Sequence, residues 1–238
     1  SDLVINEAEI GDLIINSSGN TVLNSYRNEL TVIKNQAKTL SVKGGVLVHE
    51  KRTTLDMDIE MNSFDMSFLS RLGKGKVTEI RSLLTGEFNL WGPIDNLTHT
   101  GNLTLDGFNM TIPFTNTAYG LEESTQLILS EQEIKFIPTS IFDQTRETDG
   151  LLKGTISHLN FKDWSMDMNI NSDRLILMNR LKEKGSLFYG SGYLDGDIHV
   201  HGPTKNLMID VDGATADGTS ILIPWEQNTG LADVSFID

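Results

Sequence analysis

The segment Leu55-Asp56-Met57-Asp58-Ile59-Glu60-Met61 decides the fold class of this chain. Its apolar residues occupy every second position, and acidic residues fill the positions between them. Because successive side chains of a strand point to opposite faces, the segment predicts a strand with one apolar and one charged face. The same alternation recurs in many other segments, such as residues 166–170 and 207–211. The chain is therefore predicted to be all-β and antiparallel, with one dry face.

Turn-forming residues separate the alternating runs at short intervals, among them Gly44-Gly45, Asp106-Gly107 and Gly202-Pro203. Counting the runs predicts about 18 strands of 5 to 10 residues each. Residues 64–72 space their large apolar side chains at helical intervals and predict one short helix. The alternation alone fits a sandwich, a closed barrel or a long curved sheet.

Composition excludes several classes of site. The 238 residues contain 19 Lys and Arg, 33 Asp and Glu and no Cys, which gives a formal charge of −14. Without cysteine there is no disulfide, zinc–thiolate site, iron–sulfur cluster or thiol nucleophile. The acidic balance argues against nucleic acid as a partner and against docking on anionic membrane surfaces. We predict no cofactor.

The two halves of the chain align at a shift of about 110 residues. Residues 92–97 correspond to residues 202–207, and both segments begin with Gly-Pro and end with Asn-Leu. With one further residue of shift, Asp56-Met57 meets Asp167-Met168. The match predicts two related units, residues 1–117 and 118–238. Because turns and apolar positions are repeated while no reactive cluster is, the pattern favours a scaffold or conduit over a catalytic pocket.

The run FYGSGYLDGDIHVHGPTKNLMIDVDGATADGTSILIP at residues 188–224 resembles the C-terminal region of the TamB family. These are the translocation and assembly module proteins of bacterial envelopes, with AsmA-like and bridge-like lipid transfer proteins as relatives. Residues 101–119 and 151–179 agree with the family as well, and the Bacteroidetes-type members are the most similar. The resemblance covers residues 84–238 and rests on strand pattern alone before them.

The resemblance implies an elongated open curved sheet, a U-shaped β-groove with an apolar interior and at most one short helix. It implies a non-enzymatic protein that shields phospholipid acyl chains and supports outer-membrane biogenesis and outer-membrane protein assembly. The implied partners are phospholipid, a TamA-like outer-membrane β-barrel and unfolded outer-membrane proteins. The implied location is the periplasm, with the full-length protein anchored in the inner membrane; the missing anchor indicates an excised fragment.

The alternating apolar residues are the predicted lining of such a groove, and a plain β core is the alternative interpretation. Burying a CH₂ group stabilises by about 0.8 kcal/mol, so a dry lining would hold an acyl chain away from water. The predicted lining consists of Leu55, Met57, Ile59, Met61, Phe88, Leu90, Leu103, Leu105, Met166, Met168, Ile170, Ile198, Val200, Leu207, Ile209 and Val211.

The remaining residues that could bind a metal or take part in catalysis do not form a predicted site. His199 and His201 share one strand face and are suited to hold a metal, but surface histidines are the favoured interpretation. Residues 210–213 resemble the start of a calcium loop, yet the later acidic ligands are missing. We therefore predict no metal site and no catalytic residue. The rival classes are a compact β-sandwich module that binds carbohydrate or protein, as adhesins do, and a β-helical polysaccharide enzyme.

Overall fold

A single antiparallel sheet makes up almost all of the structure. The computed structural model describes residues 2–5, 8–49, 52–73, 75–145, 147–183 and 187–224, and within them the sheet has 15 strands. The strands and the one helix are β1 (Asp2–Ile5), β2 (Ala8–Asn20), β3 (Ser25–Lys34), β4 (Ala37–His49), β5 (Arg52–Asp65), α1 (Leu69–Leu72), β6 (Thr78–Pro93), β7 (Thr98–Ile112), β8 (Thr117–Leu121), β9 (Thr125–Glu131), β10 (Glu133–Asp143), β11 (Asp149–Leu159), β12 (Lys162–Arg180), β13 (Tyr189–Pro203), β14 (Met208–Thr215) and β15 (Ser220–Leu222).

The strands follow one another across the sheet in chain order. The short strands β8 and β9 share one position, because each pairs with β7 on one side and β10 on the other. Strand β15 pairs with the beginning of β13. The prediction of an all-β, elongated sheet is confirmed, and a single sheet of this kind leaves no support for a compact two-sheet sandwich.

The strands of the described residues are fewer and longer than the predicted 18. Gly44-Gly45 lies inside β4 and Asp106-Gly107 inside β7, so neither pair forms the predicted turn. Strand β12 runs for 19 residues and continues through a register shift between Ser172 and Leu175. Glycines and bulges inside long strands resemble turns in a sequence, and this explains the overcount.

The predicted helix at residues 64–72 is only partly correct. The helix is limited to Leu69–Leu72, while Phe64 belongs to β5 and pairs with Leu84 of β6. Phe64 is buried, and its ring meets that of Phe68 edge to face with 6.4 Å between the centroids. The helix therefore begins only after β5 has ended at Asp65. No helix among the described residues has the length and hydropathy needed to cross a membrane.

The sheet curls toward one of its two faces. His99 of β7 and His158 of β11 are not on neighbouring strands, yet their Nε2 atoms are 2.9 Å apart. The Tyr119 hydroxyl of β8 likewise donates a 2.6 Å hydrogen bond to the carbonyl of Ile176 in β12. Side chains on one face of a sheet meet across intervening strands only when that face is concave. We call the concave side the inner face and the opposite side the outer face.

Glycines allow neighbouring strands to approach closely at the curled positions. A Cβ atom on Gly44 would lie 2.0 Å from the Asp56 carbonyl oxygen and 2.7 Å from the Met57 Cα. Gly154 has the same surroundings in the second half, where its Cβ would meet the Asp167 oxygen at 2.2 Å and the Met168 Cα at 2.7 Å. Only a residue without a side chain fits at these two points.

Replacing Gly44 by alanine tests this requirement, and the next residue supplies the control. A Cβ atom on Gly45 would meet only the Tyr26 carbonyl oxygen, at 3.9 Å. We expect Gly44→Ala to lower the free energy of unfolding by about 2 kcal/mol, because the backbones must move apart. Gly45→Ala should change it by less than about 0.5 kcal/mol. Urea denaturation measures both values, and equal values for the two variants would contradict the close approach.

Candidate functional site

The predicted lining residues share the inner face of the sheet. Directly paired residues of an antiparallel ladder lie on the same face, and the register pairs Met57 with Leu90 and Met168 with Val200. The remaining members are connected to these through further ladder pairs, from β5 to β7 and from β11 to β14. Leu207 has no ladder partner because it lies in the turn before β14, but it continues the alternation of Ile209 and Val211. That these residues line a lipid groove stays a prediction.

Burial divides the inner face into three zones. In the N-terminal patch, Leu55, Met57, Ile59, Met61, Phe88 and Leu90 are all half-buried. In the central core, Leu103 and Met168 are only 5% and 7% exposed, and Leu105 and Ile198 are similarly covered. The other predicted lining residues of this zone are half-buried and pack against the core: Met166, Ile170 and Val200. In the C-terminal patch, Leu207, Ile209 and Val211 are 39%, 64% and 52% exposed. Apolar surface is therefore accessible at both ends of the inner face and filled by the chain's own side chains between them.

The inner face extends beyond the predicted residues. In the N-terminal half the register adds Leu30 and Val42, which pair with each other across β3 and β4. In the central core it adds Leu127 and Leu129 of β9, both buried. The alternation of apolar and polar residues over 125–130 is the sequence signal for β9, but so short a stretch is weak evidence for a strand by itself. Partly buried Leu13 and fully buried Val32 continue the face toward the first edge.

Three turns at one end of the central core are joined by side-chain amides. The Asn160 amide donates to the Ile94 carbonyl at 2.8 Å, and its side-chain oxygen accepts from the Leu97 N–H at 3.0 Å. Gln132 donates to the Asn96 side chain at 3.1 Å and accepts from the Asn160 N–H at 2.8 Å. These bonds tie the β6–β7, β9–β10 and β11–β12 turns together and fix the curl there.

A buried histidine pair lies among the apolar residues of the inner face. His99 and His158 are both buried, and the ring of Phe161 stacks on His158 with 4.4 Å between centroids. The Nδ1 of His158 accepts a hydrogen bond from the Phe161 N–H, so neutral His158 carries its proton on Nε2. His158 therefore donates to the Nε2 of His99. The remaining nitrogen of His99, Nδ1, then carries a proton and has no hydrogen-bond partner among the residues that the structure describes.

The pair is held in its neutral state. Burial, together with the charge that His158 would carry, lowers the pKa of His99 to about 4. Burial also lowers the pKa of His158. A second proton on His99 would go to its Nε2, make both Nε2 atoms donors and remove the bond between them, whereas a second proton on His158 would go to Nδ1 and remove the bond from the Phe161 N–H. Acid should therefore weaken the contact that closes the central core.

Three carboxylates of the outer face accept hydrogen bonds from neighbouring side-chain amides. The Asn89 side chain donates to Asp56 at 3.1 Å and to Asp58 at 3.2 Å. Asn171 donates to Asp197 at 2.9 Å. These acidic residues alternate with the apolar residues of the inner face and form a solvated surface.

The histidine pair predicts how stability depends on pH. Because the folded pKa of His99 is lowered, the unfolded chain binds its proton first as the pH falls below 6.5. We expect the free energy of unfolding to fall by about 1 kcal/mol per pH unit between pH 6.5 and 4. His99→Leu should flatten this slope relative to the unchanged protein in urea titrations at several pH values. Parallel slopes for the two proteins would contradict the buried neutral pair.

Comparisons with known proteins agree with the fold at the C-terminal side of the chain. No curated protein and no solved structure matches this chain. Residues 140–238 match the family model described as the TamB C-terminal domain. The described part of that region contains β11 to β15, and thus half of the central core and the whole C-terminal patch. The match supports the TamB family, whose members are envelope-associated transport and assembly proteins, not enzymes.

Proposed function

We propose that this chain is a segment of a TamB-like envelope protein that shields phospholipid acyl chains on its inner face. In this function the protein supports outer-membrane biogenesis and the assembly of outer-membrane proteins. The observation that carries the proposal is the register that keeps large apolar residues of each strand from β3 to β14 on one inner face, with the His99–His158 pair among them. The family match of residues 140–238 supports it independently.

The energetics favour acyl chains as ligands. Each buried CH₂ group contributes about 0.8 kcal/mol, so a 16-carbon chain gains on the order of 10 kcal/mol from full cover. The half-buried residues of the N-terminal patch span two neighbouring strands, β5 and β6, and leave apolar surface to be covered. Met57 and Met61 lie in this patch, and their flexible side chains adapt to varied hydrocarbon shapes.

The two accessible patches are the places where lipid enters and leaves. The central core is filled by side chains, so an acyl chain passes it only if those side chains move aside. The exposed C-terminal patch lies on β14, at the edge of the sheet where the chain continues toward residue 225. In the full-length protein this edge would extend the apolar face toward an outer-membrane β-barrel partner of the TamA type.

Assembly of outer-membrane proteins uses a different part of the same sheet. Within the described residues β1 and β14 are the two ends of the strand order, and each pairs with one neighbouring strand. An open edge accepts an added strand through backbone hydrogen bonds, as unfolded β-barrel segments require. Lipid on the inner face and client strands at an edge are thus compatible. The periplasm is the location that we propose.

Charge placed on the N-terminal patch tests the lipid function. Met57→Asp puts a carboxylate on the inner face, while Thr54→Asp puts the same group on the outer face of the same strand. We expect Met57→Asp to reduce co-purified phospholipid about tenfold, because an unpaired carboxylate against hydrocarbon is unfavourable. Thr54→Asp should leave it unchanged. Native mass spectrometry of protein expressed in the bacterial periplasm gives the lipid stoichiometry.

Only inner-face positions that are not fully buried are suitable for this test. Met168 is buried in the central core, so a charge there would unfold the protein and reveal nothing about lipid. Ile209→Asp is the second variant, because Ile209 is largely exposed in the C-terminal patch. Circular dichroism should show unchanged β structure for all three variants. Unchanged lipid stoichiometry in folded Met57→Asp, or no phospholipid on the unchanged protein, would overturn the proposal.

A further inference from the structure

The strongest cluster of metal-ligating side chains lies on the outer face, away from the apolar patches. His199 and His201 alternate along β13 with the inner-face residues Ile198 and Val200. Their rings stack with 4.2 Å between centroids and 19° between planes. Asp167 of β12 and Asp210 of β14 flank them from the two neighbouring strands.

The register brings three donors close together and places a fourth beside them. Asp210 is directly opposite His199, yet its carboxylate contacts the Nε2 of His201 at 2.7 Å. Asp167 is directly opposite His201, yet its carboxylate contacts the Nε2 of His199 at 2.9 Å. Each carboxylate is thus adjacent to both imidazoles. The ligand atoms of His199, His201 and Asp210 all lie within 4.8 Å of one another.

We propose that His199, His201 and Asp210, with Asp167 as fourth ligand, bind a divalent transition metal of the zinc class. Two imidazole nitrogens and two carboxylate oxygens match the tetrahedral ligand set of Zn²⁺, whereas Ca²⁺ and Mg²⁺ prefer oxygen ligands alone. His199, His201 and Asp210 already form a cluster, and Asp167 adjoins it through its contact with His199. The side chains keep between 26% and 74% of their surface exposed, so an ion enters without opening the sheet.

The surroundings favour a cation at this point. Asp197 and Asp212 are a cross-strand pair next along β13 and β14 and share the outer face with the cluster. Lys205, in the turn that follows β13, contacts Asp163 at 4.0 Å and none of the four ligands. The chain as a whole carries a net charge of −14, which raises the local concentration of divalent cations.

The corresponding place in the first half serves as an internal comparison. Asp56 pairs with Trp91 there as Asp167 pairs with His201, and Asn89 takes the place of His199. The Asn89 amide is bonded to two carboxylates and offers no imidazole nitrogen. The donor set is thus built only where the two histidines stand.

A bound ion would join the three last long strands of the sheet. Asp167 belongs to β12, the histidines to β13 and Asp210 to β14, which is an edge strand whose residues are all exposed. The metal would hold β14 against the sheet and thereby fix the C-terminal patch. This effect is independent of whether the inner face binds lipid.

Titration of tag-free, chelator-treated protein with Zn²⁺ tests the site. We expect isothermal titration calorimetry to show one equivalent with a micromolar Kd. His201→Asn and Asp210→Asn should each weaken binding at least about tenfold. His49→Asn is the matched control, because His49 is an exposed histidine at the end of β4, and it should bind as the unchanged protein does.

Two further measurements separate a defined site from loose association. Co²⁺ should give the intense visible absorption of tetrahedral coordination, and His199→Asn should abolish it. Zn²⁺ should slow amide hydrogen exchange in residues 208–215 of the unchanged protein. No saturable binding, or binding that persists in His199→Asn/His201→Asn, would overturn the proposal.

Discussion

The ladder register is the constraint on which the rest of the structure depends. Directly paired residues share a face, so a slip of one residue at any strand would turn its apolar side chains to the outside. Two bulges show how the register is kept. One extra residue between Met61 and Phe64 brings Phe64 back onto the inner face opposite Leu84, and the shift between Ser172 and Leu175 does the same for Leu175 opposite Leu194. Both bulges thus preserve burial at the same end of the sheet.

Alternation in the sequence was sufficient for the fold class and for the inner face, because period 2 is a local property of each strand. It was insufficient for features that depend on curvature. Gly44 looks like a turn residue and proves to be a point of close strand approach. The sequence does not predict the contact between His99 and His158, because it forms only where β7 and β11 face each other across the curled sheet. The carboxylates around His199 and His201 likewise become visible only through the register of three strands.

Curling has a direct consequence for the inner face. A concave sheet lined by large side chains fills its own interior wherever the curl is tight, as it does between β7 and β12. The polar His99–His158 contact lies within this filled region, and the amide network of Asn96, Gln132 and Asn160 holds the turns around it. The apolar surface of the inner face remains accessible where the sheet does not curl tightly, at the half-buried N-terminal patch and the exposed C-terminal patch. A continuous path for an acyl chain therefore requires motion in the centre, and the two patches would differ in how readily they release it.

The two faces of the sheet are under different physical demands, and this explains how they differ between the halves. On the inner face, Met57 against Leu90 corresponds to Met168 against Val200, and glycines recur beside both methionines. On the outer face, the same ladder position carries Asn89 in one half and His199 in the other. Apolar packing in a concave space tolerates few sizes and shapes, so substitutions there are costly. Solvated positions tolerate exchange, and a new ligand set can arise on the outer face without disturbing the surface that contacts hydrocarbon. Two related units under a common packing constraint are expected to show this asymmetry.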